Sequence, residues 1–292
     1  SRINEHDNGI VYKQFVDLIG EIYTAEVHHV RHNVVILLDD DGNELIMPKD
    51  RQIPSDFYRK GDSVRGIIES VELKGNKPSI IFSRTSPKFL EKLFEQDIPE
   101  VFDGLISVKK VVRVPGEKAK VSVDSYDDRI DPVGACVGMK GSRIHGIVRE
   151  LGNENIDVIN HTNNIQLLIT RALSPAKISS LKIDEENKTV EAFMDPEQVS
   201  KAIGRGGFNI RLAGQLTGYE IDVYREGAEE DVELTEFSDE IEEWVLDELK
   251  KAGLDTAKSV LEQDVEDLIK RTDLEEETIL EIRKILSAEF SD

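Results

Sequence analysis

Two short glycine-rich stretches place residues that could bind phosphate at a regular spacing. They read VGACVGMKGSRI at 133–144 and VSKAIGRGGFNI at 199–210, and each contains a Gly-x-x-Gly turn with a positively charged residue inside it. The two turns consist of Gly138, Met139, Lys140 and Gly141 and of Gly204, Arg205, Gly206 and Gly207. Because glycine has no Cβ, such a turn lets a partner approach the backbone closely, and the N-terminus of a following helix offers unpaired N–H groups. The turns therefore predict sites for the phosphates of a nucleic acid.

The surroundings of the two turns are also repeated. Gly138 and Gly141 fall 66 positions before Gly204 and Gly207, and the tripeptide IDV follows both turns. In each copy a predicted helix and two strands precede the stretch, and a helix and a strand follow the turn. A single Gly-x-x-Gly is often only a tight turn between helices, but repetition of the whole order favours a binding site. The order is similar to that of the K homology (KH) module, whose glycine loop clamps four nucleotides of single-stranded RNA or DNA. The neighbouring side chains predicted to contact the same RNA are Arg143, Asn209 and Arg211.

No other group of residues has the spacing of a catalytic or metal site. His28, His29 and His32 cluster on a predicted strand without matching carboxylates, so a surface strand is a simpler interpretation than a metal site. The stretch GRGGFN puts Asn209 where a dinucleotide-binding loop needs its third glycine. Cys136 lies on the apolar face of its predicted helix, which is typical of a buried small side chain. We therefore predict no enzyme activity, no metal and no cofactor.

Residues 17–85 alternate apolar and polar side chains in short stretches separated by turn residues. This pattern predicts five strands, and five short strands in about 70 residues predict a small closed or nearly closed β-barrel. Barrels of this kind bind single strands through a positive groove with aromatic platforms. The candidate contact residues here are Arg51, Arg59, Lys60 and Arg65, with Tyr23 or Phe57 as the stacking ring.

The charge of the chain is unevenly distributed. The 292 residues carry a net charge of -22, of which -14 falls in residues 231–292. The rest of the chain is only mildly acidic, so the overall charge does not exclude a nucleic acid as partner. The single cysteine and the lack of a long apolar run predict a cytoplasmic protein with no membrane-spanning segment.

The predicted organisation is that of a multidomain α+β protein, and the last segment is predicted to be helical because its apolar residues recur at helical spacing. The expected boundaries are 1–16 for a tail or linker from an upstream domain, 17–85 for the barrel, 86–160 for the first module, 161–226 for the second module, 227–237 for an acidic linker and 238–292 for an acidic helical domain.

The stretches RIDPVGACVGMKGSRI and AIGRGGFNIRLAGQLTGYEIDV closely resemble the NusA family of bacterial transcription elongation, termination and antitermination factors. The resemblance implies an S1-type OB barrel, two tandem type II KH modules and an acidic C-terminal domain with a helix-hairpin-helix-like order of helices. It also implies binding to single-stranded nascent RNA, to RNA polymerase and to other antitermination factors. Polymerase binding would use mainly an N-terminal domain outside these residues, and also the acidic domain. In GRGGF, Gly206 stands where the family more often has asparagine.

Two other functions are open at this point. Barrels combined with KH modules also occur in RNA-decay and ribosome-associated proteins, so the chain could be the RNA-binding part of one of these. A purely structural scaffold, in which the glycine turns contact nothing, is the third hypothesis. RNA binding separates the third hypothesis from the others, and association with RNA polymerase separates the first from the second.

Overall fold

A computed structural model describes residues 2–226 and 231–290 of the chain, with side chains from residue 6 onward. The molecule divides into two compact units, the first ending at Val223 and the second beginning at Tyr224. Each unit is built around apolar clusters of its own. None of the helices within the described ranges is long and apolar enough to cross a membrane.

The first unit begins with a helix and a closed five-stranded barrel. The elements are α1 (Arg2–Val16), β1 (Ile22–Arg31), β2 (Val34–Leu38), β3 (Glu44–Met47), β4 (Ser63–Lys74) and β5 (Lys77–Ser83). The strand order around the barrel is β1-β2-β3-β5-β4, and β3 runs parallel to β5. In β2, Val35 and Leu37 are buried while their neighbours are half-buried, as the alternation of a strand requires. The predicted five-stranded barrel is thus present in the structure.

Residues 1–16 differ from the tail or linker that the sequence predicted, because α1 occupies them from Arg2 onward. Phe15 is fully buried in the barrel core, and Val11 and Tyr12 are partly buried beside it. These three positions share one face of a helix. The helix was overlooked because this apolar stripe is short and its surroundings are polar.

The first KH-like module follows the barrel directly. Its elements are α2 (Pro87–Asp97), α3 (Pro99–Phe102), β6 (Ile106–Val114), β7 (Lys118–Ser125), α4 (Pro132–Val137), α5 (Ile144–Glu150) and β8 (Asn155–Asn160). The sheet order is β6-β7-β8, with β7 and β8 parallel. At the start of α2 the Ser86 hydroxyl accepts a hydrogen bond from the Lys88 N–H, and Pro87 occupies the first turn, which confirms the predicted helix start.

The second module has its own three-stranded sheet. Its elements are α6 (Ile165–Ala172), β9 (Ser180–Asp184), β10 (Thr189–Met194), α7 (Pro196–Ile203), α8 (Phe208–Thr217) and β11 (Glu220–Arg225), with sheet order β11-β10-β9. Its apolar core also contains Val112 and Ile159 of the first module. The two modules therefore share buried surface.

Two arginines connect the barrel to the first module. Arg113 of β6 forms two 2.9 Å hydrogen bonds to the buried carboxylate of Glu154 and donates to the carbonyl oxygens of Arg84 and Ser86. Arg84, next to the end of β5, pairs in turn with Asp56 of the barrel at 2.7 Å and with Glu150 of α5 at 2.9 Å. Arg84 therefore links a carboxylate of the barrel to a carboxylate of the module through charge-assisted bonds, which are stronger than bonds between neutral groups.

A buried lysine connects the two modules. Lys120 of β7 is fully buried and donates to Asp157 of β8 at 2.8 Å and to the carbonyl oxygen of Ser174, which follows α6, at 3.0 Å. Burial lowers the pKa of Lys120, and the carboxylate of Asp157 opposes that shift. The ammonium group thus lies between the two modules and bonds to both of them.

The second unit is helical. Its helices are α9 (Glu243–Lys251), α10 (Ala257–Leu261), α11 (Val265–Arg271) and α12 (Glu276–Glu289). Their apolar sides meet in one cluster that includes Leu249, Val260 and Ile282. Thr256 and Ser259 form a capping box at the start of α10. Helices were predicted in all four of these segments from the spacing of their apolar residues.

Candidate nucleic-acid interface

The first glycine loop joins α4 to α5. Three of its four residues have positive φ angles, which residues other than glycine rarely adopt. Gly138 has φ 76° and ψ 169°, Lys140 has φ 55° and ψ 30°, and Gly141 has φ 75°. A Cβ at Gly138 would lie 2.8 Å from both Ser142 Oγ and Arg143 Cγ, and 2.9 Å from the Arg143 nitrogen. Glycine is therefore required at Gly138 both by backbone conformation and by space.

The second loop, between α7 and α8, follows nearly the same path. Gly204 has φ 74° and ψ 171°, and Gly206 has φ 63° and ψ 12°, close to the values of Gly138 and Lys140. Asparagine and glycine are the residues that enter this left-handed region most easily. Gly206 therefore adopts the left-handed backbone that Lys140 adopts in the first loop.

The charged side chains inside the two loops point to solvent. Lys140 and Arg205 are both exposed, as are Gly206 and Met139, the latter with 83% of its surface accessible. No ion pair involving either charged residue occurs among the parts of the chain that the structure describes. Arg211, on the first turn of α8, is also exposed. Each loop thus offers an unneutralised positive charge next to an accessible backbone.

Two predicted contact residues instead point inward. Asn209 is only 1% exposed, and its amide donates to the carbonyl oxygens of Leu173, Lys201 and Ala202. This placement differs from the direct RNA contact that the sequence predicted.

Arg143 is half-buried, donating to Ala135 O at 2.8 Å and to Glu100 at 2.6 Å. Its charge is therefore neutralised by a carboxylate. Arg143 and Asn209 both bond to the end of the helix that precedes their loop, where carbonyl groups lack helical partners.

The predicted contact residues of the barrel fall into two groups. Arg51 is neutralised by Glu69 at 2.7 Å and by the adjacent Asp50. The Tyr23 hydroxyl donates to Asp39 at 2.7 Å, and its ring packs edge-on against Phe15. Burial of the ring, followed by the hydrogen bond to Asp39, raises the pKa of Tyr23. Both side chains are half-buried and already have carboxylate partners, unlike the unpaired contact residues that the sequence predicted.

Two members of the second group, Phe57 and Arg65, line one open cleft. Arg65 lines a cleft of ≈ 470 Å³ with Phe57, Tyr58 and Glu150 of the first module. Phe57 is 77% exposed and carries the Arg59 guanidinium 5.3 Å from its ring centre. Arg65 forms a loose ion pair with Glu150 at 3.6 Å. Of the two candidate rings, Phe57 is the one that faces solvent beside positive charge.

Lys60 is exposed and lines a neighbouring cleft of ≈ 370 Å³ with His28 and Asp39. His28 and His29 are in edge-to-face contact, and the described residues contain no group of three or more potential ligands that could hold a metal ion. Within the described residues, the histidine cluster therefore does not have the arrangement of a metal site.

Sequence reasoning passed over a second exposed ring. Tyr126, at the end of β7, is 73% exposed, and the Lys109 ammonium lies 6.0 Å from its ring centre. The sequence could have indicated this exposure, since Tyr126 follows directly after the buried strand β7 and lies beyond the core that the strand covers. The acidic residues around it, Asp124, Asp127 and Asp128, make it a poor platform for RNA.

Both glycine loops lie in segments that match known families. Residues 84–161 match the NusA-like first KH domain, and residues 165–231 match the NusA-like second KH domain. The chain belongs to the NusA family. The predicted pair of tandem KH domains and the predicted family are thereby confirmed.

Several curated relatives are called transcription termination/antitermination protein NusA. The one from Halalkalibacterium halodurans is 38% identical over 235 residues, which is 80% of this chain and 61% of the relative. The one from Thermus thermophilus is 34% identical over 246 residues, covering 80% and 64%. The one from Bacillus subtilis is 37% identical over 225 residues, covering 77% and 60%. The chain thus spans about 60% of the length of these NusA relatives.

Proposed function

We propose that this chain is the RNA-binding part of a transcription factor that contacts nascent RNA and RNA polymerase and modulates pausing, termination and antitermination. The observation that carries the proposal is the pair of glycine loops with matching backbones, each with an exposed and unpaired positive charge at Lys140 or Arg205. The names of the relatives favour this function over the RNA-decay or ribosome-associated alternative. Neither an enzyme activity nor a cofactor is part of the proposal.

The two KH domains are proposed to bind one continuous strand of RNA. Only residues 161–164 separate β8 from α6, and Lys120 holds the domains together from inside. A short, fixed connection makes the second contact effectively intramolecular. The RNA-contact residues proposed in the loops are therefore those whose polar or charged groups face solvent, Lys140, Arg205 and Arg211, together with the loop glycines and Met139.

Asn209 and Arg143 have a different role in this proposal. Because their donors bond to main-chain carbonyls, they hold each loop against the preceding helix rather than touching RNA. Gly138 and Gly204 leave room for this packing, since a Cβ at Gly204 would lie 2.6 Å from that of Asn209. A pre-positioned loop loses less entropy when RNA binds.

The barrel is proposed to be an S1-type OB domain that adds to RNA affinity. Its five-stranded closed order supports this, as does the exposed Phe57 with Arg59 beside it. The cleft of Phe57 and Arg65 reaches Glu150, at the end of the helix that follows the first glycine loop. RNA leaving the first loop can therefore continue toward the barrel. The acidic C-terminal helical domain, with its helix-hairpin-helix-like order, is proposed to bind RNA polymerase or other antitermination factors in the cytoplasm.

The proposal is tested by reversing the loop charges. We expect Lys140→Asp and Arg205→Asp each to weaken binding of an unstructured single-stranded RNA about tenfold, and the double variant to leave little binding, because each loop loses a phosphate contact and gains repulsion. Filter binding measures the effect. Lys182→Asp is the matched control, with the same charge change at an exposed position of edge strand β9.

RNA binding that survives both loop changes, or that falls equally with the control, would overturn the RNA-clamp assignment. The transcription role is tested separately by crosslinking the full-length protein to RNA polymerase. Crosslinks to ribosomes or to RNA-decay enzymes in place of polymerase would favour the alternative.

A further inference from the structure

The two glycine loops can be compared position by position. Arg143 and Asn209 are 66 residues apart, and they bond to the carbonyl oxygens of Ala135 and Lys201, which are also 66 residues apart. One position later, Ile144 and Ile210 both pack against the apolar core of their domain. His145 and Arg211 therefore hold equivalent places, and both are exposed.

The loops differ in what covers their second glycine. A Cβ at Gly141 would lie 2.6 Å from Nε2 and 2.7 Å from Cδ2 of His145. A Cβ at Gly207 would have no atom within 4 Å. The edge of an imidazole ring thus lies against the outer side of the first loop, whereas the same side of the second loop is open.

The surroundings of His145 suit an anionic partner. Lys140 in the loop and Arg149, one turn further along α5, are both exposed, while the nearby carboxylate of Glu100 is already paired with Arg143. An imidazole ring can donate a hydrogen bond to a phosphate or base oxygen, and its face can stack on a base. RNA that approaches Gly141 from solvent meets this ring before it reaches the backbone.

We propose that His145 is an RNA-contact residue of the first KH domain, at the position that Arg211 holds in the second. The first loop then binds RNA through an imidazole, and the second binds it through a guanidinium and an open glycine backbone. This inference rests on the proposed RNA-binding function. It assigns the two loops different side-chain chemistry.

The test compares alanine and exchange variants at the two positions, with an unstructured RNA of about twelve nucleotides as the probe. His145→Ala should weaken binding about threefold to tenfold, because the hydrogen bond and the stacking surface of the imidazole ring are lost. Arg211→Ala should weaken binding and reduce the slope of log affinity against log salt by about 0.7, because one phosphate contact is lost. The variant His145→Arg should bind RNA with the affinity of the parent protein. Its slope of log affinity against log salt should be steeper than that of the parent by a similar amount.

The outcomes separate this inference from the function on which it rests. If the parent protein binds RNA and responds to Lys140→Asp but His145→Ala binds as tightly as the parent or more tightly, His145 only covers the loop and the inference is wrong. If the parent protein does not bind RNA, the proposed function fails first. Thermal unfolding of each variant identifies losses caused by misfolding, and His145→Gln, which keeps a hydrogen-bond donor, should lie between the parent and His145→Ala.

Discussion

The side chains behind the two glycine loops perform one task with different chemistry. Arg143 reaches its helix end with a long guanidinium and needs Glu100 to neutralise it. Asn209 does the same with a short, neutral amide that fits inside the domain. Burying a charge costs far more free energy than burying a neutral amide, so the buried position suits the uncharged residue and the half-buried position tolerates the charged one.

Removing the amide of Asn209 is expected to loosen the second loop. Asn209→Ala leaves the carbonyl oxygens of Lys201 and Ala202 without this donor, which should lower the free energy of unfolding by about 1–3 kcal/mol. Urea unfolding measures the loss. Lys201→Ala is the control, since only the main chain of Lys201 takes part in the contact. Equal unfolding midpoints for Asn209→Ala and the parent would show that the amide does not hold the loop.

Cys136 is expected to be chemically inert in the folded protein. Burial, with Glu100 as a second cause, raises the pKa of its thiol to about 12. Only the thiolate reacts readily, so iodoacetamide in mildly alkaline buffer should leave the native protein unmodified and alkylate it once urea has unfolded it. Mass spectrometry reads out the result directly, because Cys136 is the single cysteine. Alkylation of the folded chain at the rate of the unfolded one would contradict this prediction.

For single residues, the sequence predicts features that depend on local spacing, but it does not predict ion-pair partners that are distant in the chain. The loop glycines, Lys140 and Arg205 follow from a motif four residues long. The neutralisation of Arg143 depends on Glu100, 43 residues away, and that of Arg51 on Glu69, 18 residues away. Sequence spacing carries no information about such pairs until the fold brings them together.

Secondary-structure elements show the same division. The strands of the barrel and the helices beside the loops follow from apolar periodicity, which acts over a few residues. The parallel contact of β3 with β5, through Ile46 and Ile81, closes the barrel and has no local signal. Helix α1 was missed because its buried residue, Phe15, is explained only by the barrel interior that receives it.

The joint between the barrel and the first KH domain should depend strongly on one carboxylate. Glu154→Gln removes the negative charge that neutralises the buried guanidinium of Arg113, and an uncompensated buried charge should lower the free energy of unfolding by about 3 kcal/mol. Glu117→Gln, at an exposed position in the turn between β6 and β7, is the control. Calorimetry of both variants checks the prediction. A loss no greater than that of the control would mean that the Arg113–Glu154 pair does not stabilise the fold.

For the whole molecule, the uneven charge should influence RNA affinity from a distance. Residues 231–292 carry -14 of the total of -22, and like charges repel RNA. Deleting this segment should therefore tighten RNA binding at low salt, with a gain that shrinks as salt screens the charges. Filter binding of the two forms across a salt series measures the effect. An affinity that the deletion leaves unchanged at every salt concentration would exclude any electrostatic influence of this segment on RNA.

Within the first unit, many of the hydrogen bonds that connect the barrel and the two KH domains are accepted by main-chain carbonyl oxygens. Arg84 donates to the carbonyl oxygens of Arg65 and Glu150, Arg113 to those of Arg84 and Ser86, and Lys120 to that of Ser174. A carbonyl oxygen persists whatever side chain the residue carries. Mutational drift at most surface positions can therefore proceed without altering how barrel and KH domains are set, so long as the three cations and their carboxylates are kept. A protein engineer could exchange the loop residues of either KH domain to change its RNA preference while the scaffold stays in place.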